Sequence, residues 1–135
     1  MLSIPIQIRF SDVDIFGHVN NSMYNQYLDL GRLAYTLKVL PDAALWQGRT
    51  IVVAHIENNY LIPTFMDDTI EVQTCIYETG NKSLKMRQRI VDKDGNIKMD
   101  SYSVLSTFDT YTKLSFPLPD EWRAKIEAFE QGATF

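Results

Sequence analysis

The sequence predicts an α+β fold in which a five-stranded antiparallel sheet wraps around one long central helix, with a short helix near the C-terminus. Three observations lead to this prediction: a segment of helical periodicity that is apolar around most of its circumference, several segments typical of strands, and turn signals between the last strands. The 135 residues, of which 45% are hydrophobic, suffice for one domain with a core. We therefore expect a single domain spanning residues 1–135.

The first strand is predicted over residues 2–10, where apolar side chains occupy every second position. These positions are Leu2, Ile4, Ile6, Ile8 and Phe10. Because Pro5 has no amide hydrogen to donate, this strand is expected at an edge or at the start of a strand. The polar segment that follows, residues 11–22, contains a glycine and is predicted to be a loop.

The long helix is predicted over residues 22–40. Its apolar side chains recur every three to four residues, and further ones widen that face: Met23, Tyr24, Tyr27, Leu28, Leu30, Ala34, Tyr35, Leu37 and Val39. A helix with so broad an apolar surface is expected to be nearly enclosed by protein. Asn20, Asn21 and Ser22 are candidate N-caps, and Pro41 is expected to end the helix.

The remainder is predicted to be mostly β-structure. The four further strands cover residues 50–61, 69–78, 83–91 and 96–110. Gly80–Asn81 and Asp94–Gly95 are turn signals, so the last three strands should be antiparallel. His55 lies in an apolar strand and is expected in the core. After Pro119 a short helix is predicted over residues 120–129, and the two open edges of a five-stranded sheet favour pairing with a second copy.

Composition excludes several classes of function. Thirteen basic and 17 acidic residues give a net charge of -4, which argues against nucleic acid as a partner. The longest apolar run, residues 51–54, is too short for a membrane helix or a signal peptide. The single cysteine, Cys75, cannot form an intrachain disulfide, and no cysteine cluster offers a metal site. We expect a cytoplasmic protein with an inert thiol, no metal and no cofactor, because no phosphate-binding loop is present either.

Residues able to do chemistry are concentrated between the first strand and the long helix, where Asp12, Asp14, His18, Asn20 and Asn21 follow one another closely. A helix N-terminus presents unpaired N–H groups and a partial positive charge, which stabilise a polarised oxygen. A carboxylate just upstream could attack beside that oxygen or activate water there. This arrangement indicates a hydrolase, although a loop aspartate taken alone would be interpreted as a turn residue.

The same stretch carries a family resemblance. The pattern Asp12-x-Asp14-x-x-Gly17-His18-Val-Asn-Asn-x-x-Tyr24, after a strand and at the start of a long helix, resembles the 4-hydroxybenzoyl-CoA thioesterase branch of the hotdog-fold acyl-CoA thioesterases. It continues through Glu57–Pro63, Asp68–Val72 and Lys82–Ser83 and covers roughly residues 6–110. The resemblance implies the hotdog fold and hydrolysis of an acyl-CoA thioester to a free acid and coenzyme A. Coenzyme A is then part of the substrate and not a cofactor.

The resemblance also implies the catalytic residues. Asp14 is the catalytic carboxylate, as a nucleophile or as a general base. A backbone N–H near Asn21 polarises the thioester carbonyl. His18 orients that carbonyl, tunes Asp14 or simply packs, and these alternatives stay open.

Substrate-binding residues are implied as well. Gly17 is a substrate-binding residue, and Tyr24 lines the acyl pocket. Lys82 and Ser83 map to positions that contact the nucleotide end of coenzyme A, although Lys82 could equally be a solvated turn residue. Three cations on one strand face either attract coenzyme A phosphates or face solvent: Lys85, Arg87 and Arg89.

Partners follow from the same family. Two chains pair edge to edge with the active sites at their interface, so we expect a homodimer or homotetramer, and an acyl-carrier protein could replace coenzyme A. Two other functions stay open. One is an acyl-thioester hydratase or dehydratase that uses His18 and Asp14 for proton transfer at carbon. The other is a non-catalytic acyl-CoA-binding module.

Overall fold

The computed structural model describes residues 1–45, 47–131 and 135. Its strands are β1 (Leu2–Ile6), β2 (Arg49–Tyr60), β3 (Ile70–Thr79), β4 (Ser83–Asp92) and β5 (Ile97–Asp109), and its helices are α1 (Asn21–Val39) and α2 (Asp120–Glu130). Two short 3₁₀ helices cover Phe10–Asp12 and Pro41–Leu45. The strands form one antiparallel sheet in the order β1-β3-β4-β5-β2. This architecture confirms the predicted fold class. Neither described helix is long and apolar enough to cross a membrane.

The helix α1 lies directly on the sheet because Gly31 has no side chain. A Cβ atom at Gly31 would lie 2.6 Å from Val72 Cγ1 and 2.8 Å from Gln88 Nε2. The buried Gln88 uses this closeness, since its Nε2 donates to the Leu28 carbonyl and to Thr74 Oγ1, both at 3.0 Å. One polar side chain therefore fixes the helix on strands β3 and β4.

Two apolar clusters form the core at opposite ends of α1. The first joins the N-terminal half of α1 to β1, β3, β4 and β5; it includes Tyr24, Tyr27, Leu28, Val72, Ile90 and Met99. The second joins the C-terminal half of α1 to α2; it includes Tyr35, Leu84, Met86, Leu105, Trp122 and Ile126. The candidate site described below lies at the end of the first cluster.

The first strand is shorter than predicted. Pro5 does lie on an edge strand, as expected, but β1 ends at Ile6 and Phe10 is exposed at the start of a 3₁₀ turn. The turn forms because the Arg9 N–H donates to Asp12 Oδ2 at 3.0 Å while the Asp12 N–H donates to the Arg9 carbonyl at 2.9 Å. Local side-chain bonding thus overrides the alternating pattern.

Two predictions of burial are wrong for the single chain. The long helix is not enclosed, since Leu30, Leu33 and Leu37 are 51%, 46% and 56% exposed. The reason is that α1 packs against β1, β3 and the 3₁₀ helix Pro41–Leu45, which leaves another side of α1 uncovered. His55 is exposed as well and not in the core, because β2 is an edge strand with a register shift between Val53 and His55.

Candidate active site

The loop before α1 is anchored by a fully buried carboxylate, that of Asp12. It accepts hydrogen bonds from the Tyr27 hydroxyl at 2.6 Å and from the Arg9 side chain at 3.2 Å. Burial raises the pKa of Asp12, but the hydrogen bonds from Tyr27 and Arg9 outweigh burial and hold the pKa below its usual value. Because the Asn20 N–H donates to the Asp12 carbonyl at 2.9 Å, this anchor also fixes the start of α1.

Asp14 opens a tight turn that brings it back to His18. The Asp14 N–H donates to the His18 carbonyl and the Gly17 N–H donates to the Asp14 carbonyl, both at 3.0 Å. Gly17 adopts a φ of 85°, which side-chain-bearing residues rarely tolerate. Asp14 Oδ1 accepts from the Phe16 N–H at 2.9 Å, while Oδ2 lies 3.9 Å from His18 Nδ1. The carboxylate is therefore held at one oxygen, and the other faces the imidazole.

The N-terminus of α1 begins directly after this turn. Asn20 is the N-cap, since its Oδ1 accepts from the Ser22 N–H at 3.0 Å and its carbonyl accepts from the Met23 N–H at 2.9 Å. Of the three candidate caps, the structure thus selects Asn20. Across the described residues the Asn21 N–H has no intramolecular acceptor. It is the donor of the first helical turn that remains available to a ligand.

The start of α1 forms one wall of the candidate site, and a second segment of the chain faces it. Residues 60–65, which we call the wall segment, begin with the last residue of β2 and pair with the loop that precedes α1. The Val19 N–H donates to the Thr64 carbonyl at 2.7 Å, the Tyr24 hydroxyl donates to Thr64 Oγ1 at 3.0 Å, and His18 forms a β-bridge with Phe65. Between the two walls is a cavity of about 130 Å³, lined by His18, Val19, Asn21, Tyr24, Tyr60, Leu61, Ile62 and Pro63.

The predicted site residues thus separate into two groups. Asp14, Gly17, His18, Asn21 and Tyr24 come together around the small cavity and the adjoining turn. Ser83 begins β4 and Lys82 directly precedes it, whereas Ile90, near the other end of β4, belongs to the same apolar cluster as Tyr24. The ten residues of β4 span about 33 Å at ~3.3 Å per residue, so one chain does not bring the two groups together.

The three strand cations are engaged by carboxylates. Lys85 Nζ lies 3.0 Å from Glu78 Oε2, and Arg87 makes a two-point contact with Asp100 at 3.0 and 2.7 Å. Arg89 Nε lies 3.8 Å from the same Asp100. These contacts favour a structural interpretation of the cluster over the attraction of coenzyme A phosphates.

Sequence reasoning missed a second, larger cavity. A groove of about 440 Å³ separates the middle of α1 from the first half of β2; its apolar walls include Leu33, Ala43, Ile51, Val53 and Leu105. Arg32 lies in it, donating to Gln88 Oε1 at 3.0 Å and pairing with Asp29. No sequence signal marked this groove because it exists only where α1 and an edge strand diverge. Sequence reasoning also assigned no role to the wall segment, although the family pattern ran through part of it.

The geometry offers the components of acyl-transfer chemistry at one place: a carboxylate, an imidazole beside it, and an available N–H at a helix N-terminus. Among the residues described here, no group of three or more His, Cys, Asp or Glu side chains is arranged to hold a metal ion. The thiol of Cys75 is buried, and burial raises its pKa, which disfavours a reactive thiolate.

Comparisons with known proteins agree with this geometry. The family described as the thioesterase-like superfamily matches residues 8–126. The long-chain acyl-CoA thioesterase FadM of Escherichia coli (strain K12) is 25% identical over 130 residues, which cover 93% of this chain and 97% of that protein.

Solved structures support the same relationship. A thioesterase complexed with coenzyme A and Zn from Thermus thermophilus is 28% identical, with a TM-score of 0.85 and coverage of 98% of this chain and 96% of that one. A predicted thioesterase from Bacillus stearothermophilus is 26% identical, with a TM-score of 0.83 and coverage of 93% of each chain. The chain therefore belongs to the thioesterase-like superfamily and is a hotdog-fold thioester hydrolase.

Proposed function

We propose that this protein hydrolyses acyl-CoA thioesters, with Asp14 as the catalytic carboxylate and the Asn21 N–H as the oxyanion donor. The observation that carries the proposal is that His18 and Asn21, at the N-terminus of α1, line one cavity while Asp14 Oδ2 lies 3.9 Å from His18 Nδ1. The substrate class is supported by two relatives, one named as a long-chain acyl-CoA thioesterase and one crystallised with coenzyme A.

In the proposed reaction the thioester carbonyl oxygen accepts a hydrogen bond from the Asn21 N–H, so charge that develops on it meets the positive end of α1. Asp14 takes a proton from water, and the water oxygen bonds to the carbonyl carbon. Collapse of the tetrahedral intermediate breaks the carbon–sulfur bond, and the departing thiolate takes up the proton from Asp14. Direct attack by Asp14, followed by hydrolysis of the resulting anhydride, gives the same products.

His18 is proposed to orient the substrate. Its Nδ1 lies 3.2 Å from the Val19 carbonyl, which can only accept, so the neutral ring carries its proton on Nδ1 in that contact. Nε2 is then the acceptor of the ring. The distance of 3.9 Å between Nδ1 and Asp14 Oδ2 allows the protonated ring to stabilise the carboxylate without a direct hydrogen bond.

A second copy is proposed to complete the coenzyme A site. The β2 edge is open and carries partly exposed Val53, Ile56 and Tyr60 on the row that faces α1. Antiparallel pairing of two β2 strands would extend the sheet. It would place the turn between β3 and β4 of one chain near the N-terminus of α1 of the other. Lys82 could then reach the nucleotide of a substrate held at the partner's helix N-terminus.

The acyl chain is assigned to the groove between α1 and β2. Its volume of about 440 Å³ and its mostly apolar walls suit a hydrocarbon chain. The groove and the small cavity both lie between α1 and β2, which supports a single elongated substrate site.

Thiol release tests the proposal. Purified protein is assayed with short, long and aromatic acyl-CoAs and with an acyl-carrier-protein thioester, with Asp14→Ala as the control. Hydrolysis that is lost in the control supports the proposal. Hydration or dehydration of the acyl chain without thiol release would instead establish the hydratase alternative, which the Asp14–His18 pair also suits. Tight thioester binding without any turnover would establish a binding module.

A further inference from the structure

Lys98 is a buried cation outside the cavity. Its residue exposure is 6%, and its ammonium lies 3.3 Å from Asp68 Oδ2 and 3.7 Å from Asp92 Oδ2. It also donates to the Pro63 carbonyl at 3.2 Å. An ammonium is expensive to bury, and it is retained only where partners compensate for the lost water. The proposed chemistry makes no use of this charge.

The partners of Lys98 converge on the wall segment, residues 60–65. Besides the contact with Pro63, the Lys98 carbonyl accepts hydrogen bonds from the Leu61 N–H at 2.9 Å and the Ile62 N–H at 3.2 Å. Main chain and side chain of one residue thus hold three consecutive residues. All three of these residues line the small cavity.

Asp68 transmits the same charge to the far end of the wall segment. Its Oδ2, which faces Lys98, accepts from the Phe65 N–H at 2.8 Å, and the Asp68 N–H donates to the Phe65 carbonyl at 3.0 Å. Phe65 in turn forms the β-bridge with His18. The chain of contacts therefore runs from Lys98 through Asp68 and Phe65 to His18.

Asp92 is a partner of a different kind. It organises the β4–β5 hairpin, accepting from the N–H groups of Asp94 and Asn96 at 2.9 Å each. Within the described residues its side chain makes no hydrogen bond or ion pair with the wall segment. Lys98 thus links Asp68, which bonds to the wall segment, to Asp92, which belongs to the β4–β5 hairpin.

We propose that Lys98 is a positioning residue that, with Asp68, sets the distance between the wall segment and the helix N-terminus and so the geometry of the thioester in the cavity. Its effect on turnover rests on the proposed function, whereas its effect on the wall segment does not. A displacement of about 1 Å in a site of this kind can cost about 100-fold in rate.

The decisive comparison is Asp68→Asn against Asp92→Asn. Each removes one negative charge from the same ammonium, but only Asp68 also bonds to the wall segment, through Phe65. Asp68→Asn should reduce kcat by about 10- to 100-fold, with KM changing less. Asp92→Asn should lower the melting temperature and leave kcat close to wild type. Equal effects of the two variants on kcat, measured well below both melting temperatures, would overturn the proposal.

Lys98 itself is tested in two forms. Lys98→Met should lower kcat at least as much as Asp68→Asn, and Lys98→Arg should restore part of the loss because it keeps the cation. If Lys98→Met does not fold, the Asp68→Asn and Lys98→Arg variants still decide. An arginine variant as impaired as the methionine variant, in a folded protein, would count against a role for the charge.

Amide hydrogen exchange separates this inference from the proposed function. Exchange at Val19, Leu61 and Phe65 should accelerate in Asp68→Asn but not in Asp92→Asn, while amides between β3 and β4 stay protected in both. The hydrogen-exchange measurement does not depend on enzymatic activity. A wild-type protein that fails to release thiol would end the proposed function yet leave the exchange result standing. Unchanged exchange at these three amides in Asp68→Asn would refute the positioning role.

Discussion

The two ends of α1 are built on different principles. At the C-terminal end, α2 closes an apolar cluster around Tyr35, Leu84, Trp122 and Ile126. The N-terminal end also has an apolar cluster, but there a loop and the wall segment are held by hydrogen bonds and buried charges, and the loop tip leaves Ile15 and Phe16 exposed. We call the C-terminal end the closed end and the N-terminal end the open end. The difference indicates that the two ends have different roles. Apolar burial at the C-terminal end supplies stability, and polar bonding at the N-terminal end positions reactive groups.

Even the polar contacts of the closed end serve packing. Glu130 accepts from the Tyr35 hydroxyl at 2.6 Å, from the Ile76 N–H at 3.1 Å and from the N-terminal amine at 2.9 Å. Burial and the hydrogen bond to Glu130 raise the pKa of Tyr35 far above its ordinary value, so the phenol stays neutral. These bonds give each buried polar group a partner, and none of the residues involved lines either cavity. Substitutions should therefore separate the two ends by whether activity or stability changes.

The largest expected effect is on catalysis at the open end. Asp14→Asn should lower turnover by about 100- to 10,000-fold, because an amide cannot act as a base or nucleophile. The fold should persist, since the amide oxygen can still accept from the Phe16 N–H. The measurement is thiol release at saturating acyl-CoA, with the melting temperature as the control. A variant with wild-type turnover would remove Asp14 from the mechanism.

The next effect is on stability at the closed end. Trp122→Ala should cost about 3–5 kcal/mol in the free energy of unfolding, because Trp122 is buried and packs edge to face on Phe116. Urea denaturation measures the loss, and the activity of the folded fraction should change little. A selective loss of kcat in folded protein would show that the two ends are coupled.

A mixed case is Asp12, which anchors the loop without lying in the cavity. Asp12→Asn should cost about 1–3 kcal/mol, because the amide cannot replace every carboxylate contact. The native pKa of Asp12 lies below its ordinary 3.8, so its ionised form stabilises the fold above that value. This contribution should disappear as pH falls through the lowered native pKa. Acid unfolding curves of wild type and variant should therefore begin to approach each other below about pH 4 and should meet only below the lowered native pKa of Asp12; parallel curves would contradict the assignment.

The smallest effect is at the helix cap. Asn20→Ala should cost about 1 kcal/mol, because it removes the acceptor for the Ser22 N–H. Thermal unfolding measures it, with Asn20→Ser as the matched variant that keeps a capping oxygen. An alanine variant as stable as the serine variant would mean that solvent caps the helix equally well.

Much of the fold was predictable because it rests on local patterns. Alternating apolar residues, Ile- and Val-rich segments and turn signals located the five strands, the three- to four-residue spacing located α1 to within one residue at each end, and the edge position of Pro5 followed from its missing N–H. The loop before α1 was predictable for the same reason, because it too is local in sequence: its residues Asp14, Gly17 and His18 are joined by short-range bonds. What failed was burial: Leu30 and His55 were misjudged because exposure depends on distant strands.

The sequence by itself therefore determined the element order, the strand parity and the residues gathered at the start of α1. Each depends on interactions within a few residues, which periodicity and capping chemistry record directly. Only the tertiary structure decided that Lys98 lies buried against Asp68 and supports the wall segment, and that a groove opens between α1 and β2. Lys98 is thirty residues from Asp68 along the chain, and no local pattern encodes the register of strands that brings them within 3.3 Å.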